Sequence, residues 1–186
     1  MRAFVAVELP PAARAALAEL QRDLANVRAD VKWVEEANLH VTMRFLGEIT
    51  QEQRQAIERF LRDLAGRTQA MTLSLSSLGA FPSPASPRVI WVGIGQGHEE
   101  LSHLAAPLED ALAALHLPAE EHAFVAHVTL GRVRSPKNRA PLAQRLKELM
   151  WTPPAPFSAT NLTLFQSALS NSGPTYTVLA TMPFQP

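Results

Sequence analysis

No cysteine occurs anywhere in the 186 residues. Disulfides, thiolate nucleophiles and cysteine-ligated zinc or iron–sulfur centres are therefore excluded. Net charge is also missing: 17 Lys and Arg balance 17 Asp and Glu, and the pI is near 7.0. That balance argues against tight coating of long nucleic acid, which needs a broadly basic face, and leaves room for a local patch holding one phosphate or a strand end. Long apolar runs are absent too. No stretch approaches the roughly 18 residues of a membrane span, and the apolar start is interrupted by Glu8 and closed by Pro10, too short for a signal peptide. A cytoplasmic protein with no membrane contact is expected. The spaced glycines Gly93 and Gly95 lack a following lysine, which argues against a nucleoside-triphosphate loop. His-x-x-x-His and His-Glu-x-x-His patterns are missing as well, so no metal site is expected.

What is present is 47% hydrophobic residues, enough for a sizeable core. Alternation and capping signals predict strands over 5–9, 31–34, 39–46, 71–78, 88–94, 124–133, 157–169 and 176–182. Helices are predicted after Pro10-Pro11 to about 27, over 50–65, over about 99–115 and over about 139–150. Thr50 with Gln53 forms a capping-box signature. Residues 79–87 read as a proline-rich turn, and Asn171-Ser172-Gly173-Pro174 as another. Both halves follow the order strand, helix, His-x-Thr strand, helix, strand, and His40 and His127 lie 87 residues apart. This predicts an α+β fold in a single domain, 1–186. Two pseudo-symmetric lobes, about 1–79 and 88–186, would carry antiparallel sheets around a central groove, with helices outside and 176–182 as the closing strand.

The motifs that carry chemistry are His40-Val41-Thr42 and His127-Val128-Thr129. Composition alone supplies a chance His-x-Thr in roughly one such chain in three, so either motif by itself says little. Two copies, both His-Val-Thr-apolar and both at matching places in the repeat, say much more. Strand alternation puts each imidazole and hydroxyl on one face and anchors the valine on the other. A neutral histidine can take a proton from water while a charged one gives a proton to a leaving oxygen. Threonine hydroxyls can donate to the phosphate oxygens on which charge grows. The pair therefore points to metal-free, cofactor-free phosphodiester chemistry, with Arg44, which shares parity with His40, as a further phosphate contact. Phe45, Phe124 and Trp33 flank the motifs as base-stacking candidates, although aromatics at such places are more often core because they are large and apolar. Arg132, Arg134, Lys137, Arg139, Arg145 and Lys147 form a basic stretch able to steer an anionic strand end toward the groove, although half of it lies on a predicted helix, where a solvated face suits it at least as well. His98, His103, His116 and His122 read as surface or capping residues.

These residues resemble the two-histidine phosphoesterase superfamily, in its RNA 2′,3′-cyclic phosphodiesterase (2′-5′ RNA ligase) branch. The resemblance runs through residues 2–10, Trp33-Val34 with 38–48, Phe81-Pro82 with 87–93, 124–132, 164–167 and 173–176. It implies a bilobal α+β fold and hydrolysis of RNA 2′,3′-cyclic phosphate ends to a 2′-phosphomonoester. Reversible, ATP-independent 2′-5′ joining is a second implied activity. It also implies His40 as proton donor, His127 as proton acceptor, and Thr42, Thr129 and Arg132 on the phosphate. The substrates would be RNA 3′ ends or small cyclic nucleotides, handled by a monomer without an obligate protein partner. Ala126 stands where the family usually has proline. Strict alternation sends Arg132 away from His127, so the strand must end or bulge near Gly131 for Arg132 to serve. The alternatives are a non-catalytic module that binds RNA or nucleotide phosphate and a hydrolase with histidine-held metal.

Overall fold

The computed structural model describes residues 1–171 and 173–186; Ser172, the second residue of the turn expected at 171–174, lies outside them. In chain order the elements are β1 (Arg2–Glu8), α1 (Pro11–Ala25), β2 (Val31–Trp33), β3 (His40–Glu48), α2 (Gln51–Ala65), β4 (Met71–Leu73) and β5 (Leu75–Ser83). There follow β6 (Ser86–Ile94), α3 (His98–Ala114), β7 (His127–Val133), α4 (Arg139–Glu148), β8 (Phe157–Ala159), β9 (Asn161–Ser170) and β10 (Gly173–Pro183). Local chemistry explains the boundaries. Proline opens α1 in its first turn, where the missing N–H costs nothing. Thr50 and Gln53 cap α2 reciprocally, each side chain bonded to the other's backbone N–H.

The main sheet is antiparallel, in the order β10-β9-β1-β3-β7-β6-β5, with β2 beside β7; β4 and β8 form a small second sheet. The duplication is one of sequence order, and in space the halves exchange strands. β9 from the second half flanks β1, and β5 from the first half flanks β6. Each lobe thus draws its outer strand from the other half, and neither 1–79 nor 88–186 is a lobe by itself. Alternation along one chain carries no information about which strand pairs with which.

Three sequence expectations are corrected. The strands expected at 71–78 and at 157–169 both divide, β4 pairing with β8 while β5 and β9 join the main sheet. The proline-rich turn expected at 79–87 is mostly a hairpin, with β5 continuing to Ser83 and β6 starting at Ser86. Pro82 is tolerated because β5 is the sheet's last strand. Pro87 is tolerated because it precedes Val89, where pairing with β7 starts.

One large core backs the whole sheet. Val5, Val7, Val41, Ile90, Val92, Val128 and Leu130 belong to it together with Leu17, Leu24, Leu61, Leu108 and Leu142 from the helices. A separate small cluster of Phe4, Ala6 and Phe165, with Tyr176 against it, sits on the opposite face of β1 and β9. No helix among the described residues is long and apolar enough to cross a membrane.

Candidate active site

The two lobes meet where Val41 of β3 pairs with Val128 of β7. Both valines are fully buried, so alternation turns His40, Thr42, His127 and Thr129 to the face away from the core. Projected from that rung, Thr42 comes opposite His127 and His40 opposite Thr129. The two histidines are then diagonal neighbours, about 7–8 Å apart at Cα by strand geometry.

Each imidazole is held in the same way. His40 Nδ1 lies 2.6 Å from the Asn38 carbonyl, and His127 Nδ1 lies 2.6 Å from the Val125 carbonyl. A carbonyl only accepts, so Nδ1 carries the hydrogen and donates it. That leaves Nε2 of both rings as the atom that gains or loses a proton. His40 Nε2 is 2.8 Å from the Thr42 hydroxyl, which donates to it when the ring is neutral. Rings pack around both imidazoles. Phe4 stacks on His40 at 4.9 Å between centroids, with Tyr176 edge-on at 5.6 Å. Phe81 and Trp91 stand edge-on to His127 at 5.3 and 6.2 Å.

This burial pushes both histidines below their ordinary value of 6.5, against the opposing pull of the backbone hydrogen bonds. The remaining charges treat them differently. His40 is lowered further by His127 and raised by Glu8, whereas His127 is lowered by Arg132. Burial likewise raises the Tyr176 phenol, against Arg132 and Arg2. A stability effect follows from the depressed histidines. The unfolded chain takes up protons at about 6.5 while the folded chain resists, so stability is full above that pH. It falls as pH drops through 6.5 toward the folded values. The melting temperature of the native protein should therefore fall more between pH 7.5 and pH 5 than that of the double variant H40N/H127N. Equal falls would contradict it.

Both motif strands carry a bulge, and the bulges decide which neighbours reach the site. In β7, Thr129 pairs with Trp91 but Gly131 pairs with Ile90, leaving Leu130 as the extra residue. Parity shifts by one, so Arg132 turns to the face of His127 and Thr129 and lines the cleft. In β3, Ala6 pairs with Thr42 but Val5 pairs with Arg44, with Met43 extra. Phe45 therefore takes the place in this lobe that Arg132 takes in the other. It is 52% exposed and 6.1 Å from Phe4 between ring centroids.

Arg44 is the correction. The same bulge turns it toward the helix side with Val5, where it is only 7% exposed. Its guanidinium bonds both oxygens of Glu109, one oxygen of Glu120 at 3.0 Å, and the carbonyls of Phe45 and Pro118. It borders the cleft but has no hydrogen bonds left over for a phosphate.

The cleft encloses about 990 Å³, at the top of the roughly 300–1,000 Å³ range of small-molecule sites. Thr42, Phe45, Phe124, His127, Thr129 and Arg132 line it, and His40 sits behind Thr42. Sequence reading missed Phe81, Arg88, Glu109, Glu120 and His122, which line it as well. Trp33 is not a stacking residue: it packs over Gly131 and against the core. Within the basic stretch, Arg145 pairs with Asp23 of α1 at 2.5 Å and does not face the cleft. Among the described residues, no three His, Asp or Glu side chains gather as a metal site.

A doubled antiparallel scaffold that presents two histidine–threonine pairs and an arginine to one groove has the architecture of a two-histidine phosphoesterase. The model of the family described as LigT like Phosphoesterase matches the chain twice, at 7–91 and 92–176, and the chain belongs to that family. The chain is 34% identical to the RNA 2′,3′-cyclic phosphodiesterase of Aeropyrum pernix, over 88% of this chain and 92% of that one. With the protein of the same name from Methanothermobacter thermautotrophicus it shares 33%, over 95% of both. Among solved structures, TT0787 of Thermus thermophilus superposes with a TM-score of 0.82 at 28% identity, over 100% of this chain and 98% of that one. E. coli LigT in complex with 3′-AMP superposes at 0.77 and 26% identity, over 98% and 97%.

Proposed function

We propose that the protein hydrolyses RNA 2′,3′-cyclic phosphate ends to 2′-phosphomonoesters without a metal or other cofactor. The observation that carries this reading is the matched pair of imidazoles, each with Nδ1 tied to a carbonyl and Nε2 left for proton transfer. Its relatives carry the name of that activity.

Water attacks phosphorus as His127 Nε2 removes its proton. The bond from phosphorus to O3′ breaks as His40 Nε2 donates a proton to that oxygen. A 2′-phosphate and a 3′-hydroxyl result, and the two histidines exchange protonation before the next turnover. The assignment is the one the family resemblance implies; burial lowers both rings, Arg132 lowers His127 further, and on His40 lowering by His127 opposes a smaller raising by Glu8. Thr42, Thr129 and Arg132 donate to the non-bridging oxygens, where fixed donors act most strongly in the transition state. Phe45 and Phe124 flank the adjoining base. With a 5′-hydroxyl in place of water as the nucleophile, the same groups would join ends through a 2′-5′ bond, and the reverse of that step would return the cyclic phosphate and the 5′-hydroxyl. We read the protein as a cytoplasmic monomer acting on RNA 3′ ends or small cyclic nucleotides, with no obligate protein partner.

The test is purified protein with EDTA and an RNA ending in 2′,3′-cyclic phosphate, with the product phosphate located by its resistance to 3′-specific phosphatase. Expected is full conversion to the 2′-phosphate. A 3′-phosphate product, or activity lost to EDTA and restored by a divalent ion, would overturn the reading.

A further inference from the structure

The cleft is electrically lopsided. Arg132 and Arg88 line it with His127 and the two threonines; Glu109 and Glu120, drawn together by Arg44, line it too, with Glu121 and with apolar surface from Phe45, Ala105, Phe124 and Val125. An anionic phosphate is attracted to the arginines and repelled by the carboxylates. A nucleotide therefore enters in one sense only, with phosphate at the histidines and its base toward the carboxylates. The acidic cluster is built rather than incidental. Glu120 lies on the segment joining α3 to β7, where the chain has no helix or strand to stiffen it. It is held by Arg44, itself more than nine-tenths buried, which also bonds the Pro118 carbonyl of that segment and Glu109 of α3. Glu120 keeps one oxygen on Arg44 with its side chain 41% exposed, and a carboxylate accepts hydrogen bonds and offers none.

We infer that Glu120, held in place by Arg44, makes the cleft select terminal bases that present an amino group, so that a cytidine end is preferred to a uridine end. The two bases have the same outline and differ at position 4. The cytosine amino group donates to the carboxylate; the uracil carbonyl in its place meets it oxygen to oxygen. Binding a charged acceptor to the wrong group leaves both without a partner, which is where discrimination arises. This inference rests on the reading of the cleft as an RNA-end site.

The experiment compares the native protein with E120Q on short RNAs of one common body, ending in C or U with a 2′,3′-cyclic phosphate. Native kcat/KM for the cytidine end should exceed that for the uridine end by about ten-fold, carried mainly by KM. In E120Q the ratio should shrink to about two-fold, since an amide both donates and accepts. Equal values in the native protein, or an unchanged ratio in E120Q, would overturn the inference. Arg44→Lys keeps a charge but loses the fork, and should give an intermediate ratio. A lower Tm with the ratio unmoved would make Arg44 merely structural and remove it from the proposal. Should neither end be hydrolysed, the proposed reaction falls, and the base preference is read instead from equilibrium binding of cytidine and uridine 3′-monophosphates to native protein and E120Q. Tighter cytidine binding that disappears in E120Q supports the inference; equal binding overturns it.

Discussion

Replacing His127 or His40 with alanine is expected to lower kcat for cyclic-phosphate hydrolysis by about a hundred- to ten-thousand-fold each, the usual worth of a positioned acid or base. Neither side chain is part of the main core, so the fold should survive and the far-ultraviolet spectrum should not change. The informative readout is the pH profile. A base must be neutral, so the rate rises with pH through its pKa; an acid must be charged, so the rate falls through its own. H127A should therefore lose the rise on the acid side and keep the alkaline fall, and H40A should do the reverse. Loss of the opposite limbs would exchange the two roles. Burial lowers both rings in the free protein, which places the native kcat/KM maximum on the acid side of neutrality. An anionic diester bound beside them favours the charged imidazole, so the kcat profile should lie at higher pH. Wild-type kinetics with at most a two-fold loss in both alanine variants would overturn the two-histidine mechanism.

Gly131→Val is expected to damage stability and binding together. A Cβ at this position would lie 2.7 Å from Val31 Cγ1, 2.9 Å from the Trp33 ring and 3.1 Å from the Lys32 carbonyl. The glycine therefore lets β2 close onto β7, and it sits in the bulge that aims Arg132. Overpacking of this kind costs about 1–3 kcal/mol, several degrees of Tm in a chain of this length. Because the strain can relax only by moving β2 or by altering the bulge, Arg132 should lose its aim and KM for cyclic-phosphate ends should rise. Thermal melting and steady-state kinetics check the two parts. A variant that melts like the native protein and keeps its KM would show that β2 has room to move.

The bulges also mark where sequence reading reached its limit. The histidines and threonines were legible because alternation holds over the first three residues of each strand. Beyond the extra residue, Met43 or Leu130, parity inverts, and a one-residue insertion in pairing leaves no compositional trace. For Arg132 the resemblance required a bulge near Gly131, and it is there. For Arg44 nothing signalled one, and simple alternation aimed the side chain into the cleft. The helices were legible from caps and periodicity, Thr50 and Gln53 most clearly. Glu109 and Glu120 were not, since a glutamate on a helix and one on a loop read as solvated charges until a buried arginine joins them. Tyr176 and Phe4 come together through the pairing of β10, β9 and β1, which no local pattern encodes.

The exchange of outer strands carries a consequence for ancestry. If a single repeat once lent its outer strand to a second copy, its working unit was an intertwined homodimer with two identical motifs. Fusion of the copies would make that association intramolecular, with an effective concentration of about millimolar order. It would also release the two halves from being alike. Position by position, Ala6 now answers Trp91 and Phe45 answers Arg132. A symmetric ancestor would have offered the same groups to both sides of a substrate. The fused chain can keep one side for anions and the other for rings.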